Sequence, residues 1–141
     1  MDRREEQFFV AWADCDAAGK VFYPNFYSWF DRSTEKLFRV NNLTIANLEN
    51  EFGIIGMPLL ESNAKYEFAC LHGSELSIET WVDEWAGKTF VVRHKITQQG
   101  GRLAVSGYEK RIFVVPAPDE PSGMRGIAPP DEILGRLRED A

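Results

Sequence analysis

The stretch ADCDAAGKVFYPNFYSWFD, residues 13–31, links an acidic loop to the start of an aromatic-rich segment. Gly19 allows the backbone to bend, and Pro24 suits the first turn of a helix, where a missing N–H costs nothing. Asp14 and Asp16 precede the bend. The first N–H groups of a helix are unpaired donors with partial positive charge, so they can bind an anion or polarise a carbonyl. The stretch therefore predicts a carboxylate next to the donors of a helix N-terminus.

This combination has the two parts that hydrolysis of an acyl group needs. A carboxylate can serve as a base or nucleophile, and the helix donors can stabilise a developing oxyanion. An acidic, glycine-containing loop before a helix is more commonly a matter of turn and capping chemistry alone. Local chemistry leaves both interpretations open.

The residues on either side of the loop predict a strand and a long helix. Residues 7–12 alternate as a strand does. From Pro24 onward apolar residues recur at helical spacing, until helical character weakens at residues 41–42. A shorter helix is predicted at residues 45–52. The apolar face of the long helix is expected to comprise Phe26, Phe30, Leu37 and Val40.

Four later runs alternate apolar and polar residues and predict strands that form a meander. Ala86-Gly87 indicates a tight hairpin between the second and third runs, and the Gly-rich residues 99–101 indicate another turn. A strand, a long helix and then antiparallel strands predict an α+β fold in which one sheet covers one helix. The four runs lie at residues 63–70, 76–83, 90–96 and 103–115.

The length of the chain, 141 residues, matches one domain with one core. We predict a single domain over residues 1–141, with its core at about 7–115 and a C-terminal tail at 116–141. The tail is rich in Pro and Gly up to residue 130, and residues 131–139 are predicted to form a short surface helix.

Composition excludes several classes of function. A net charge of −6 without a basic stripe argues against binding nucleic acid, and no run approaches the ~20 apolar residues that cross a bilayer. The start of the chain has no apolar run typical of a signal peptide, so we expect a cytoplasmic protein in which Cys15 and Cys70 are reduced. His72 and His94 are the only histidines, and no metal site is predicted; His94 is expected to be a packed core residue.

The run from Asp14 to Tyr27 closely resembles the active-site segment of the 4-hydroxybenzoyl-CoA thioesterase family. The resemblance extends in the same order over about residues 7–115. It implies a hotdog fold, a five-stranded antiparallel sheet wrapped around a long central helix, and acyl-CoA thioesterase activity. The other matching stretches are residues 53–58, 62–64, 77–80 and 84–85, with Lys88 and Phe90.

The resemblance also implies roles for the loop residues. Asp16 matches the catalytic carboxylate, which is either the nucleophile or the general base. Tyr23 matches the position whose backbone N–H polarises the thioester carbonyl, so its ring is not the catalytic part. Gly19 permits the bend and Asn25 holds the loop, both beside the substrate, whereas Asp14 is assigned to loop structure.

Two further residues are expected to bind the acyl group. Asp31 lies where members of this branch place an acid near the aryl end of the substrate, and it could accept a hydrogen bond from a ring hydroxyl. Its alternative is an acid on a solvated helix face. Met57, just before Pro58, is expected to line the acyl pocket, although a methionine in such a bend can also simply fill space.

The predicted CoA-binding residues are Lys88 and Thr89. Relatives bring adjacent arginines to this hairpin, whereas this chain keeps the lysine and has Ala86 and Gly87 instead. The departure puts tight binding of the nucleotide end in doubt. Two other candidates for the phosphates are Arg93 and Arg102.

The resulting prediction is an enzyme that hydrolyses an aromatic acyl-CoA, of the benzoyl or hydroxybenzoyl type, to the free acid and CoA in the degradation of aromatic compounds. No cofactor is implied, because CoA is part of the substrate. The resemblance implies a homodimer with shared active sites, often paired into a tetramer, and no nucleic-acid or membrane partner.

Two alternatives stay open. Pro24 stands where a short-chain acyl-CoA or acyl-carrier-protein thioesterase more often has histidine, which disfavours that branch. The missing basic residues at Ala86 and Gly87 motivate the other alternative, a non-catalytic acyl-CoA-binding hotdog protein. The presence of Asp16 argues against that alternative.

Overall fold

The computed structural model describes residues 3–138, which contain six strands and three α-helices. No helix in that range is long and apolar enough to cross a bilayer. The elements are β1 (Arg3–Phe9), a 3-10 turn (Trp12–Asp14), α1 (Pro24–Val40), α2 (Ile45–Phe52), β2 (Leu59–Tyr66), β3 (Glu75–Ala86), β4 (Thr89–Gln98), β5 (Leu103–Pro116), β6 (Met124–Ile127) and α3 (Asp131–Arg136).

The predicted α+β architecture with a five-stranded antiparallel sheet is confirmed, but the order of the strands differs from the prediction. The sheet runs β1-β3-β4-β5-β2, and the short β6 adds to β5. The meander therefore covers only β3 to β5, and the predicted meander of four strands is wrong. Since β1 and β4 occupy the two edges of β3, β2 cannot pair with β3, as a four-strand meander would require. It pairs instead with the edge of β5.

Two predicted strands differ from the observed ones in their bounds. The strand predicted at residues 7–12 already ends at Phe9, because the chain turns at Trp12, whose side chain is 80% exposed. The strand predicted at residues 63–70 begins four residues earlier and ends at Tyr66. As an edge strand exposed along most of its length, it carries little of the alternation from which strands are recognised.

Helix α1 crosses the sheet and begins at Pro24, as predicted, and α2 also has its predicted bounds. Val40, expected on the apolar face, is 43% exposed. The buried stripe drifts around the helix, since 3.6 residues make one turn, and Asn41 rather than Val40 is buried at its end. The buried residues of α1 are Phe26, Phe30, Thr34, Leu37 and Phe38.

The apolar core consists of two clusters that lie under the two halves of α1. The cluster near the start of the helix surrounds Phe30, and the cluster near its end surrounds Phe38. Strands β3, β4 and β5 contribute to both. Residues of the first cluster include Val10, Val21, Phe26, Leu76 and Ile96, and those of the second include Leu37, Leu48, Ile54, Phe90 and Phe113.

The C-terminal tail contributes to the core, which the sequence did not predict. The Pro- and Gly-rich part contains β6, and α3 ends at Arg136. Ile133 and Leu137 are buried in the cluster around Phe38, so the segment predicted at residues 131–139 is not a surface helix. The last residue of that prediction lies outside the described residues.

Gly107 allows α1 to lie close to the sheet. A Cβ at this position in β5 would come within 2.6 Å of Phe30 Cζ on α1 and within 2.6 Å of the Asn63 carbonyl oxygen on β2. Backbone atoms of a paired strand cannot easily move away. The absence of a side chain at position 107 is therefore a packing requirement.

We expect Gly107→Ala to lower the free energy of unfolding by about 2 kcal/mol or more, because overpacking forces the ring or the backbone to shift. Urea denaturation followed by circular dichroism measures the change. Gly135→Ala is the control: nothing lies within 4 Å of its added Cβ, so the effect should be neutral or stabilising. Equal stabilities for wild type and Gly107→Ala would contradict this account of the packing.

Candidate active site

The acidic loop forms a small hairpin that fixes Asp16. The Asp16 N–H donates to the Lys20 carbonyl at 2.8 Å, and the Gly19 N–H donates to the Asp16 carbonyl at 3.0 Å. Gly19 has a φ of +75°, in the left-handed region that residues with a Cβ rarely adopt. The bend predicted at this glycine is therefore present.

The Asp16 carboxylate is exposed and oriented by its own loop. Its Oδ1 accepts hydrogen bonds from the N–H groups of Ala18 at 2.9 Å and Lys20 at 3.2 Å. Within residues 3–138 no group donates to Oδ2. One carboxylate oxygen is thus held in place while the other is available for chemistry.

Asp14 and Asn25 connect the loop to the helix. The Asp14 carboxylate accepts from the Ala11 N–H at 3.0 Å, and the Asn25 side-chain amide donates to the Asp14 carbonyl at 2.8 Å. The Phe22 N–H donates to the same carbonyl at 2.9 Å. These hydrogen bonds set the position of the loop relative to the start of α1.

Tyr23 occupies the N-terminal cap of α1, directly before Pro24. In the part of the chain that the structure describes, no residue accepts a hydrogen bond from the Tyr23 N–H, as is usual at a helix N-terminus. Tyr23 and Asp16 line the same groove, which has a volume of about 500 Å³. Its other walls are mostly apolar or aromatic and include Val21, Phe22, Phe26, Tyr66 and Phe68.

Cys15, next to Asp16, is the other nucleophilic side chain in the loop. Partial burial, and then the charges of Asp14 and Asp16, raise the pKa of the Cys15 thiol. Burial raises the pKa of the Cys70 thiol to about 11. Because the thiolate is the reactive form, both cysteines are poor nucleophiles near neutral pH, and Asp16 is the stronger candidate.

Asp31 and Met57 lie together, but not in the groove of Asp16. They line a second pocket of about 460 Å³ between α1, α2 and the chain before β2. We call it the acyl pocket, after the roles that the sequence predicts for Asp31 and Met57. The described residues that line this pocket and those that line the groove of Asp16 have no member in common. Its walls are largely apolar and include Ile45, Leu48, Ile54, Ile55 and Val114, and Arg111 also contributes.

A chain of buried polar side chains leads from the middle of the sheet to this pocket. His94 stacks on Phe30, with ring centroids 4.6 Å apart, and its Nδ1 lies 2.8 Å from Thr80 Oγ1. Its Nε2 donates to Glu109 Oε1 at 2.7 Å. His94 is buried, as predicted, but it is hydrogen-bonded to polar neighbours.

Arg111 continues the chain from Glu109 to the pocket. One terminal nitrogen donates to Glu109 Oε2 and to Asp31 Oδ1, the latter at 2.7 Å. The other terminal nitrogen donates to the Met57 carbonyl at 2.8 Å. Arg111 therefore contacts both residues that the sequence assigns to the acyl group.

The Glu109 carboxylate is buried and ionised. Burial alone would raise its pKa, but the hydrogen bonds and charges of His94 and Arg111, together with the Thr34 hydroxyl, outweigh burial and lower the pKa. The sequence prediction missed this network. The signal was available, because alternation in β5 puts Glu109 and Arg111 on the inward face with Val105 and Phe113.

Lys88 and Thr89 lie at the hairpin between β3 and β4. Among the described residues, neither of them lines the groove of Asp16 or the acyl pocket. The Thr89 hydroxyl donates to the Ala86 carbonyl at 3.2 Å. Arg93 forms ion pairs with Asp83 and Glu84. The Lys88 side chain, in contrast, is exposed at the turn.

Arg102, the other predicted alternative cation, lies beside the groove of Asp16. Its guanidinium carbon lies 4.5 Å from the centroid of the Phe68 ring, which lines that groove. Among residues 3–138, no group of three or more histidine, cysteine, aspartate or glutamate side chains is arranged to hold a metal ion.

An antiparallel sheet on a central helix is the hotdog arrangement, and in this chain the Asp16 carboxylate lies beside the N-terminus of that helix. Residues 10–136 match the family model of the thioesterase-like superfamily. The chain is 31% identical over 134 residues to 4-hydroxybenzoyl-CoA thioesterase from Pseudomonas sp. (strain CBS-3). The aligned region covers 89% of this chain and 90% of that enzyme. The chain belongs to the thioesterase-like superfamily.

Solved structures agree with this assignment. A mutant 4-hydroxybenzoyl-CoA thioesterase complexed with 4-hydroxybenzoyl-CoA has a TM-score of 0.84 and 29% identity, with 96% of this chain and 98% of that chain covered. Gentisyl-coenzyme A thioesterase has a TM-score of 0.75 and 27% identity, with 95% and 98% covered. The predicted family, hotdog fold and enzyme class are confirmed, whereas the roles of the site residues remain predictions.

The lowered pKa of Glu109 predicts an acid-dependent loss of stability. A carboxylate whose pKa is lower in the folded state stabilises the fold fully above its unfolded pKa, 4.5, and loses this contribution as the pH falls through the folded value. At pH 7 we expect Glu109→Gln to lower the free energy of unfolding by about 3 kcal/mol, because it leaves buried partners unpaired. The difference from wild type should shrink below pH 4.5.

Denaturant titrations between pH 3 and pH 7 measure this difference. Glu49→Gln, at an exposed position of α2, controls for the substitution itself. A stability difference between wild type and Glu109→Gln that stays constant down to pH 3 would show that the Glu109 charge does not stabilise the fold.

Proposed function

We propose that this enzyme hydrolyses an aromatic acyl-CoA, of the benzoyl or hydroxybenzoyl type, to the free acid and CoA. The observation that carries the proposal is one groove with the free Oδ2 of Asp16 and the unpaired N–H of Tyr23. The names of two relatives, 4-hydroxybenzoyl-CoA thioesterase and gentisyl-coenzyme A thioesterase, support the aromatic acyl group.

Each part of the groove has a distinct role in the proposed reaction. The thioester carbonyl oxygen accepts a hydrogen bond from the Tyr23 N–H, and the positive end of α1 stabilises the oxyanion that forms. Oδ2 of Asp16 either attacks the carbonyl carbon or takes a proton from the water that attacks it. The C–S bond then breaks and the sulfur leaves with CoA.

In the first route an acyl-aspartate anhydride forms, and a water molecule hydrolyses it to the acid and free Asp16. In the second route the acid forms directly. Water is the second substrate in both routes, and neither uses a metal or redox cofactor.

The position of Asp31 supports an active site shared between two copies of the chain. Asp31 lies eight residues after Tyr23, so the two are about 12 Å apart along the helix axis. That separation is longer than an aromatic ring with its hydroxyl. Asp16 of one protomer and Asp31 of its partner are therefore the proposed pair around one acyl group.

Exposed apolar side chains on edge strand β2 support a homodimer, and the resemblance implies that two dimers pair into a tetramer. Edge strand β2 carries Leu59, Leu60 and Tyr66 with about half of each side chain exposed. An exposed edge strand with apolar side chains is a typical surface for pairing with a second chain. The proposed location is the cytoplasm, because both cysteines are free thiols.

We expect Asp16→Asn to lower kcat by about a hundredfold or more, the scale of losing a key acid–base or nucleophilic group. Release of free CoA thiol is measured with benzoyl-, 4-hydroxybenzoyl-, phenylacetyl- and short aliphatic acyl-CoA esters. Tyr23→Phe is the matched control: it keeps the backbone N–H and should retain most of the activity.

The same panel distinguishes the alternatives. Preference for short aliphatic esters would replace the aromatic substrate with a short-chain one. If no ester is hydrolysed by wild type but 4-hydroxybenzoyl-CoA binds, the binding-protein alternative is correct. An active Asp16→Asn variant would remove Asp16 from the mechanism.

Lys88 is proposed to bind the phosphates of CoA, since it is a solvent-exposed cation at the turn. We expect Lys88→Glu to raise KM several-fold and to leave kcat nearly unchanged, because phosphate binding is remote from the thioester. Lys95→Glu makes the same change of charge on the same hairpin and should have little effect. Equal KM values for wild type and Lys88→Glu would assign the phosphates to other cations.

A further inference from the structure

Arg111 reaches the acyl pocket from β5 and holds the two residues proposed to contact the acyl group. Its side chain is only 8% exposed, whereas that of Asp31 is 67% exposed. Its terminal nitrogens donate to Asp31 Oδ1 at 2.7 Å and to the Met57 carbonyl at 2.8 Å. One buried guanidinium thereby sets the position of the pocket's carboxylate relative to its wall.

Without this contact, Asp31 would be a solvated side chain on a helix surface with several accessible rotamers. Arg111 occupies Oδ1, and within residues 3–138 no group donates to Oδ2. The free oxygen is thus presented in a defined orientation. A planar guanidinium fixes two acceptors in this way, whereas an ammonium group is a point charge that does not.

The charges of the buried polar side chains determine which hydrogen-bond partner the free Oδ2 of Asp31 accepts. Arg111 donates to two carboxylates, those of Glu109 and Asp31, so its single positive charge does not compensate both of them. The pocket therefore favours a hydrogen-bond donor and disfavours an anionic substituent.

Most of the other residues that line the acyl pocket are apolar, as a ring requires. Ile54, Ile55 and Val114 line it. Besides Asp31 and Arg111, its charged or hydroxyl side chains are Thr34, which donates to Glu109, and Glu35, which pairs with Arg39. A ring with a hydroxyl at its far end would find both an apolar wall and one oriented acceptor. A ring without the hydroxyl would leave that acceptor unpaired, which costs affinity.

We propose that Arg111 is a positioning residue: by holding Asp31, it makes the enzyme prefer a hydroxylated aromatic acyl group over the same ring without the hydroxyl. This inference rests on the proposed function and names the substrate class of the same site. Arg111 contributes to the pocket wall, and it acts on the ring hydroxyl through Asp31.

The test compares two esters that differ in one hydroxyl, 4-hydroxybenzoyl-CoA and benzoyl-CoA. For each, kcat/KM is measured with wild type and variants, and Kd is measured by calorimetry in the Asp16→Asn background. The quantity of interest is the ratio of the two esters, which a general loss of folded protein does not change.

We expect Asp31→Asn to lower the preference for 4-hydroxybenzoyl-CoA about tenfold, the effect of losing one hydrogen bond to a charged group. Glu109→Gln combined with Arg111→Gln removes both buried charges together and should lower the ratio to a similar extent. Arg111→Lys keeps the positive charge but not the planar guanidinium that donates to two acceptors. Its ratio of the two esters should therefore lie between that of these variants and that of wild type. Adding Arg111→Lys to Asp31→Asn should not lower the ratio further.

Each outcome decides one question. If the Arg111 variants weaken both esters equally and the ratio is unchanged, Arg111 has only a structural role and the inference is wrong. Should wild type hydrolyse neither ester, the proposed function fails, while the Kd ratio still tests Arg111. If the double variant does not fold, as judged by circular dichroism, the ratio for Arg111→Lys decides.

Discussion

The arrangement of the protein depends on one buried carboxylate, that of Glu109. It accepts hydrogen bonds from His94 on β4, Arg111 on β5 and Thr34 on α1, between the two apolar clusters of the core. A buried charge costs several kcal/mol unless its partners are in place, whereas apolar side chains can repack at lower cost. The carboxylate therefore specifies how α1 lies over the sheet more narrowly than the apolar contacts do.

That placement of α1 determines the geometry of both cavities. When Thr34 donates to Glu109, Phe30 stacks on His94 and lies over Gly107. The same placement lets Asp31 accept a hydrogen bond from Arg111. The same rigid helix carries Tyr23 at its start, beside the loop of Asp16. Its length keeps the Tyr23 N–H and the Asp31 carboxylate apart, which is the reason for proposing that two chains contribute to one site.

The parts of the fold that sequence could predict are those set by local patterns. Both helices near the start of the chain, and the hairpins around β4, follow from periodicity, Pro24 and turn residues. The pairing of β2 with β5 depends on which strand edge is free, and this is decided by β1, far away in sequence. The burial of α3 is likewise non-local, because Ile133 acquires its partners only when the tail folds back.

The candidate site divides in the same way. The loop of Asp16 was recognisable because its turn, its acids and the helix start are contiguous. Glu109 and Arg111 were missed because a charge in a strand normally belongs to its exposed face. They share the inward face with Val105 and Phe113, where an unpaired charge would be too costly to keep. Two opposite charges at alternate positions of such a face therefore imply a partner on the element that covers it, and here that element is the helix that carries Asp31.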